Sequence, residues 1–324
     1  MKKVIGMGNA LVDIMTRLKN DDILKQFNLP RGSMQLIDHA LIKELLDATM
    51  TLEKKLSSGG SAANTMHGLA RLGIHTAFIG KTGNDEFGKV FRDDLQASKI
   101  EALLFPGLSP TGRSFAMVSP DGERTMATFL GAAVELLDDD IDSGIFHGYD
   151  YFHVEGYLVQ NHRLIEKSVR LAKKAGLKVS LDMASYNVVQ ANRQFFGTLL
   201  EEYVDVVFAN EEEAIAYTGK DPESSLGILA KDCEIAVVKL GKNGSLIQSG
   251  SKTYRAGIIK AHCLDTTGAG DLYAAGFLFG LCNGLSLDKC GKAGAILSGK
   301  VIEQLGAKIS EEVWTEIHEM ISGI

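Results

Sequence analysis

Near its C-terminal end the chain reads Asp265-Thr266-Thr267-Gly268-Ala269-Gly270-Asp271. An apolar stretch at helical spacing follows from Leu272 to Leu281, which predicts a glycine-rich turn that opens a buried helix. Closely spaced glycines let backbone N–H groups approach a ligand, and a helix start offers unpaired donors with partial positive charge. Asp271 at such a start either accepts a proton from a hydroxyl held beside a phosphate or only caps the helix. The segment alone leaves both interpretations open.

Two segments near the N-terminus combine glycines with hydrogen-bonding side chains. Residues 4–13 predict a short apolar strand, a glycine-containing turn and a carboxylate, and residues 58–64 predict a glycine-rich helix start. A carboxylate accepts two hydroxyl hydrogen bonds, and an amide side chain both donates and accepts. Each segment alone is also typical of an ordinary turn. The residues that suit a polyol are Asp13, Gly59, Gly60 and Asn64.

These three segments, in this order, resemble the PfkB family of carbohydrate and purine kinases, the ribokinase-like enzymes. Family-like stretches also lie at residues 80–85, 210–213 and 239–244, so the resemblance spans almost the whole chain. It implies an ATP-dependent kinase in which Asp271 is the catalytic base. It further implies that the backbone of Gly268, Ala269 and Gly270 forms an anion hole, and that substrate hydroxyls contact Asp13, Gly59, Gly60 and Asn64.

The resemblance also implies residues for the nucleotide and its cations. Asn210 and Glu213 match an Asn-x-x-Glu element that organises Mg²⁺ and its waters around the ATP phosphates, with Glu213 acting through water. Residues three apart on a helix share a face, and Mg²⁺ needs only one or two protein oxygens. Without the family, the residues favour a solvated acidic helix start. Lys239 and Gly241 match a segment near the nucleotide, and Asp265 with the Gly306 region resembles a K⁺-binding loop.

The chain alternates short apolar runs with helical patterns, which predicts an α/β fold with a doubly wound, mostly parallel sheet flanked by helices. The expected buried strands lie at 77–79, 151–154, 179–181, 204–208 and 235–240, and a helix is expected at 161–175. A hairpin within 111–130 and extended stretches within 12–37 predict a separate small β-sheet, which is a lid in the family. A lid excludes water from the phosphoryl donor. We expect residues 1–324 to form one ribokinase-like kinase domain.

Composition narrows the class of protein. The chain has 324 residues, of which 45% are hydrophobic and 23% charged, with a net charge of −7 and a pI near 5.7. This charge argues against nucleic-acid or anionic-membrane partners, and no apolar run is long enough to span a bilayer. Four cysteines without a Cys-x-x-Cys pair indicate neither a zinc site nor a disulfide framework. We therefore expect a cytoplasmic protein whose partners are ATP and a small molecule.

Other catalytic motifs are missing or incomplete. The stretch from Gly6 begins like a dinucleotide fingerprint, but Leu11 stands where the third glycine belongs. The sequence contains no Gly-x4-Gly-Lys-Ser/Thr loop, no His-Glu-x-x-His and no Gly-x-Ser-x-Gly. Nicotinamide dehydrogenases, P-loop kinases and the commonest hydrolases are thereby disfavoured.

The acceptor is less well determined. The expected acceptor is the hydroxymethyl group of a ribonucleoside such as adenosine or of a free sugar. Arg113 and Arg124 either bind a phosphate or carboxylate, as in fructose phosphate or 2-keto-3-deoxygluconate, or are exposed hairpin charges. Phe115, Met117 and Phe129 either line a slot for a nucleobase or pack the lid.

Two further hypotheses concern a non-enzymatic role and self-association. A ligand-binding regulator of the same fold is the alternative to an enzyme, and the intact Asp271 speaks against it. A homodimer formed through the lid is a further expectation.

Overall fold

The protein is described by a computed structural model that covers residues 2–324. Strands and helices alternate along most of the chain, as the sequence predicts. The strands are β1 Lys3–Met7, β2 Leu11–Arg17, β3 Met34–Leu36, β4 Lys55–Gly59, β5 His75–Thr82, β6 Ile100–Pro106, β7 Gly112–Val118, β8 Arg124–Phe129, β9 Tyr151–Glu155, β10 Lys178–Asp182, β11 Val206–Asn210, β12 Ile235–Lys239, β13 Ser245–Ser249 and β14 Lys252–Ala256. The helices are α1 Asp22–Gln26, α2 His39–Ala48, α3 Ser61–Arg71, α4 Glu86–Ala97, α5 His162–Lys174, α6 Tyr186–Ala191, α7 Arg193–Glu202, α8 Glu211–Thr218, α9 Pro222–Asp232, α10 Ala269–Cys282, α11 Leu287–Val301 and α12 Glu311–Ser322.

The large sheet has the strand order β14-β13-β12-β11-β10-β9-β1-β5-β6. Its strands from β12 to β6 pair in parallel, whereas β13 and β14 add an antiparallel edge. Successive side chains of β11 enter different cores: Val207 packs with α5, α7 and α9, and Phe208 packs with α10 and α11. Burial on both faces explains why these strands are continuous apolar runs. The expected doubly wound α/β fold is confirmed.

A second sheet, which we call the lid, has the order β3-β8-β7-β2-β4. It contains the expected hairpin of β7 and β8 and the two expected extended stretches, β2 and β3. It also contains β4, which sequence analysis missed because Lys55–Gly59 is short and polar and leads into a glycine-rich turn. Pairing with β2 makes this segment a strand. A single domain over the whole chain stays a prediction.

The two faces of the lid differ. Leu36, Thr128, Ser114 and Asp13 are paired in succession across β3, β8, β7 and β2, so their side chains share one face. Phe115 lies on the opposite face, where it is fully buried in the same core as Ile42 and Leu45 of α2. Met117 and Phe129 share that opposite face, so these three side chains pack the lid and do not form a slot beside Asp13. Helix α2 covers part of this face. The expected homodimer through the lid stays a prediction.

Helix α10 is held rigidly by its neighbours. A side chain at Gly276 would place Cβ only 2.4 Å from the backbone oxygen of Ala293, which shows how closely α10 and α11 approach. Fully buried Phe277 and Leu278 fill the adjacent core. Within residues 2–324, no helix combines the length and the apolarity that crossing a membrane requires.

Candidate active site

Asp271 joins the two glycine-rich helix starts. It lies in the first turn of α10, and its Oδ1 accepts a hydrogen bond from Ser61 Oγ at 2.7 Å. Its Oδ2 accepts a hydrogen bond from Asn64 Nδ2 at 2.9 Å. Both donors belong to the first turns of α3, more than 200 residues earlier in the chain. The fold therefore brings the C-terminal signature against the N-terminal glycine pair.

The environment of Asp271 tunes its basicity. Burial raises the pKa of Asp271 to about 6, and the nearby charge of Asp182 acts in the same direction. Hydrogen bonds from Asn64 and Ser61 and the charge of Lys239 oppose this rise. Asp271 is therefore ionised at neutral pH but has a higher proton affinity than an exposed aspartate, which suits a general base.

The residues of the predicted anion hole lie together at the start of α10. Gly268 is the N-cap residue with a φ of 73°, a conformation that favours glycine, and Ala307 packs against it where a side chain would begin. Among residues 2–324, the backbone N–H groups of Gly268 and Gly270 have no protein acceptor, whereas Ala269 N donates to Thr266 O at 3.2 Å. This helix start thus retains free donors for an anion.

Lys239 adds a positive charge to the same place. A Cβ at Gly270 would lie 3.0 Å from Lys239 Nζ, so the ammonium group borders the start of α10. Lys239 Nζ also donates to Asp182 Oδ2 at 2.8 Å. Although burial lowers the pKa of Lys239, the charges of Asp182 and Glu213 raise it above its ordinary value. Sequence analysis missed Asp182, whose signal is a carboxylate at the end of buried strand β10.

Asn210 and Glu213 form a reciprocal cap on α8. Asn210 Oδ1 accepts from Glu213 N at 2.9 Å, and the Glu213 carboxylate accepts from Asn210 N at 2.8 Å and from Asn210 Nδ2 at 2.7 Å. Burial raises the pKa of Glu213 to about 7. Within residues 2–324, no cluster of three or more His, Cys, Asp or Glu side chains could hold a metal ion. The Glu213 carboxylate keeps acceptor positions beyond its two bonds to Asn210, and a single carboxylate fits a Mg²⁺ ion that keeps most of its water.

Asp271, the start of α10, Lys239 and the cap of α8 border one cavity of about 1030 Å³, which we call the large cavity. Such a volume accommodates a nucleotide-sized ligand. One part of the wall of the large cavity is apolar and is formed by Ile258, Ile259 and Ile302, whereas the end around Asp271 is polar. The predicted site residues that line the large cavity are Asn210, Glu213, Lys239, Gly241, Gly268, Ala269, Gly270 and Asp271.

Asp13 lies on lid strand β2, where it pairs with Ser57 of β4, the strand that leads into α3. It borders a cavity of about 30 Å³, the small cavity, together with Arg124 and Lys308. Burial raises the pKa of Asp13 to about 7, and the charges of Lys308 and Arg124 oppose this rise. A Cβ at Gly59 would lie 2.3 Å from the carboxyl carbon of Asp13, so only glycine leaves this carboxylate in place.

Gly60 and Asn64 complete the predicted substrate contacts. Gly60 is the N-cap residue of α3 with a φ of 93°, and a Cβ there would lie 2.2 Å from the backbone oxygen of Asn9. Asn64 uses its Nδ2 for Asp271, which leaves Oδ1 buried without a hydrogen-bond partner among the described residues. A buried acceptor without a donor is unusual and favours a ligand hydroxyl at this position.

Glu155 is a buried carboxylate that sequence analysis missed. It is the last residue of β9, is 1% exposed, and accepts from Asn9 N at 2.8 Å, Asn9 Nδ2 at 2.7 Å and Ala62 N at 3.0 Å. Burial raises the pKa of Glu155 to about 7. By binding both segments, Glu155 fixes the turn before β2 against the start of α3. Its partner Asn9 is 146 residues away, so no local pattern reveals this role.

The predicted K⁺ residue Asp265 is enclosed by protein donors. Its Oδ1 accepts from Thr267 N at 3.0 Å and Thr267 Oγ1 at 2.7 Å. Its Oδ2 accepts from Gly306 N at 2.8 Å and from Arg124 Nη1 at 2.7 Å. The K⁺ site stays a prediction.

Arg113 and Arg124 have different environments. Arg113 is 5% exposed and lies over the rings of Phe87 and Phe129, on the lid face opposite Asp13. Of the two alternatives for Arg113, the exposed hairpin charge is therefore wrong, and the β7 register places Arg113 on the lid face that does not bear Asp13. Arg124 lines the small cavity and forms an ion pair with Asp265. The alternative of an exposed, unpaired hairpin charge is therefore wrong for Arg124 as well.

Comparison with known proteins identifies the family of this chain. Residues 37–314 match the family model described as pfkB family carbohydrate kinase. A probable sugar kinase from Rhizobium etli is 36% identical with a TM-score of 0.87, and the alignment covers 98% of each chain. An adenosine kinase from Sinorhizobium meliloti is also 36% identical with a TM-score of 0.87, covering 98% of this chain and 99% of that one. The expected ribokinase-like kinase architecture is confirmed.

A more distant relative is named for a sugar acid. The 5-dehydro-2-deoxygluconokinase of Shouchella clausii is 27% identical over 280 residues, which are 81% of this chain and 86% of that protein. The similar proteins thus include kinases named for a nucleoside and for a sugar acid.

Proposed function

Since the chain belongs to the PfkB family of carbohydrate kinases, and is therefore a phosphotransferase acting on a sugar or nucleoside hydroxyl, we propose that it transfers the γ-phosphoryl group of ATP to the hydroxymethyl group of a ribonucleoside. The observation that carries this proposal is the position of Asp271. Its carboxylate borders the large cavity and bonds to Ser61 and Asn64 of the opposite helix start. A base at this boundary reaches both the acceptor and the phosphoryl donor.

ATP occupies the large cavity in this proposal. The free N–H groups of Gly268 and Gly270 and the ammonium of Lys239 receive the negative charge that spreads over the transferring oxygens. Asn210 and Gly241 contact the nucleotide farther along the cavity wall. Glu213 and Asn210 would hold a Mg²⁺ ion through its waters, and the ion would neutralise charge on the ATP phosphates.

The acceptor lies beneath the lid. Asp13 and Asn64 Oδ1 accept its hydroxyl hydrogen bonds, and Gly59 and Gly60 leave room for it against the backbone. Asp271 removes the hydroxymethyl proton as the oxygen bonds to the γ-phosphorus. At the same time the bond from that phosphorus to the bridging oxygen breaks, and ADP leaves with its electron pair. The lid excludes water, which would otherwise compete as acceptor.

The face of the lid that bears Asp13 favours a nucleoside over a bare sugar. Met34 and Leu36 are 50% and 61% exposed, and their partners in the sheet register, Met126 and Thr128, lie on this same face. Exposed apolar side chains beside a hydroxyl-binding site provide a surface for a flat, apolar base. The adenosine kinase of S. meliloti, similar over nearly its whole length, supports the same acceptor class.

A second acceptor class has an observation of its own. Lys55 also borders the small cavity, and within residues 2–324 its ammonium forms no ion pair. An unpaired cation there suits the carboxylate of a sugar acid, as the relative from S. clausii would use. We therefore keep an acidic or phosphorylated sugar as the alternative acceptor.

An acceptor screen tests the proposal. ADP release with ATP and Mg²⁺ is measured over adenosine, inosine, ribose, fructose, fructose 6-phosphate and 2-keto-3-deoxygluconate. We expect the highest kcat/KM for a nucleoside, and a higher rate with ribose or a sugar acid would contradict the nucleoside assignment.

A variant pair tests the apolar surface. Leu36→Ser should raise the KM for the nucleoside by about tenfold, the effect of about 1.4 kcal/mol of lost apolar contact, with an unchanged KM for ATP. Met50→Ser is the matched control, because Met50 is 77% exposed just beyond α2. Equal KM values in both variants would remove Leu36 from the site.

A further inference from the structure

The carboxylate of Asp265 has no position left for a metal ion. A carboxylate offers about four lone-pair sites. Thr267 fills two of them with its backbone N–H and its hydroxyl, Gly306 N fills a third, and Arg124 Nη1 fills the fourth. All four donors lie between 2.7 and 3.0 Å from their oxygen. These residues do not fit the K⁺ site that the family resemblance implies.

The charge at this place is already balanced. The Asp265 side chain is 8% exposed and that of Arg124 is 21% exposed, so their ion pair is largely shielded from water. The guanidinium N–H bond to Asp265 is charge-assisted and stronger than a neutral hydrogen bond. A second cation would have to displace Arg124 or be repelled by it.

We propose that the guanidinium of Arg124 takes the place of a monovalent cation beside Asp265, so that this protein binds its nucleotide without K⁺. Arg124 belongs to lid strand β8, whereas Asp265 belongs to the loop that leads into Gly268. Gly306 bonds to the same carboxylate, and the next residue, Ala307, packs against Gly268. Arg124 is therefore a positioning residue that ties the lid to the start of α10.

Nucleotide binding tests this inference without an acceptor. The affinity of AMP-PNP with Mg²⁺ is measured by calorimetry in KCl, NaCl and choline chloride at equal ionic strength. The proteins are the full-length wild type, Arg124→Gln, Arg124→Lys and the control Arg31→Gln. Arg31 is a suitable control because it pairs with Asp121 at the exposed rim of the lid hairpin.

The wild type and Arg31→Gln should bind AMP-PNP equally well in the three salts. Arg124→Gln should bind at least about fivefold more weakly in choline chloride, a typical coupling between connected sites, and KCl should restore the affinity. Arg124→Lys keeps a positive charge beside Asp265 and should show little dependence on the salt.

Three results would overturn the inference. One is wild-type binding that weakens about fivefold or more when K⁺ is replaced. Another is Arg124→Gln binding that equals the wild type in every salt, and the third is a loss in that variant that KCl does not restore. If Arg124→Gln fails to fold, the salt dependence of AMP-PNP binding to the wild type and to Arg124→Lys still tests the inference. Since no acceptor is present, a wrong acceptor assignment leaves the result unaffected.

Discussion

Two helix starts meet at Asp271, and they differ in how their backbone donors are used. Both begin with a glycine of positive φ, 93° at Gly60 before α3 and 73° at Gly268 before α10. At α3 the buried carboxylate of Glu155 accepts from Ala62 N, so the protein itself supplies the anion. At α10 the N–H groups of Gly268 and Gly270 have no acceptor among residues 2–324. Two helix starts that both follow a glycine of positive φ therefore differ in what they bind.

In the function that we propose, this difference corresponds to a different ligand on each side. At the α3 start Glu155 occupies the Ala62 N–H group, and this helix start instead presents side chains, here Asn64, whose Nδ2 donates to Asp271. A helix start with free donors, next to Lys239, attracts a phosphate. Asp271 belongs to α10 but accepts hydrogen bonds from Ser61 and Asn64 of α3. Variants on each side should therefore affect different substrates.

Asp271→Asn should have the largest effect, because it removes the group that both helix starts share. We expect kcat to fall by about 10²–10⁴, the usual contribution of a positioned base. The affinity for AMP-PNP and the thermal unfolding should change little, because asparagine retains the shape of the side chain. Steady-state kinetics with the acceptor from the screen provide the measurement. A kcat near the wild-type value would reject Asp271 as the base.

A matched pair of glycine substitutions should separate the two sides. Gly59→Ala places Cβ 2.3 Å from the carboxyl carbon of Asp13 and must displace it, so the acceptor KM should rise by about 10–100-fold. Gly270→Ala meets only the flexible end of Lys239 at 3.0 Å, so its smaller effect should appear in the affinity for AMP-PNP. If Gly59→Ala instead weakens nucleotide binding, the two sides are wrongly assigned.

Glu155→Gln should weaken the attachment of the start of α3. Glutamine keeps the shape but replaces one acceptor oxygen by an amide group, which faces the donor N–H of Asn9 or of Ala62. We expect the free energy of unfolding to fall by about 1–3 kcal/mol and the acceptor KM to rise, with AMP-PNP affinity unchanged. Chemical denaturation and kinetics measure these effects. Unchanged stability together with an unchanged acceptor KM would show that Glu155 does not organise this site.

The pH dependence of kcat should show the smallest change. Asp271 must be ionised to accept a proton, and its raised pKa of about 6 means that kcat should fall as the pH drops through 6. The hydrogen bond from Ser61 lowers this pKa, so Ser61→Ala should move the acidic limb to higher pH. Ser61→Thr keeps a hydroxyl donor and should leave the limb near the wild-type position. An acidic limb that does not move in Ser61→Ala would contradict the role of Ser61.

Local sequence patterns predicted the features that depend on neighbouring residues. The apolar runs predicted the parallel strands, and the turn at residues 119–122 predicted the β7–β8 hairpin. The glycine-rich segments 58–64 and 265–271 predicted the starts of α3 and α10. In each case the period of apolar residues and the turn residues are sufficient.

Features that depend on distant pairing were not predictable. Strand β4 forms only because β2 pairs with it, and the ion pair of Arg124 with Asp265 joins residues 141 apart. Phe115 lies between Ser114 and Ala116 on β7, and all three side chains are buried. The sequence of β7 therefore does not reveal which face of the strand packs against the core, because tertiary packing decides it. Asp182 and Glu155 similarly acquire partners through the sheet order.

A crystal structure with AMP-PNP, Mg²⁺ and the acceptor from the screen tests the central claim most directly. We expect an Asp271 carboxylate oxygen within about 3.2 Å of the acceptor hydroxymethyl oxygen. The γ-phosphate should lie at the N–H groups of Gly268 and Gly270. An Asp271 side chain directed away from the hydroxymethyl group, or a triphosphate bound outside the large cavity, would contradict the account.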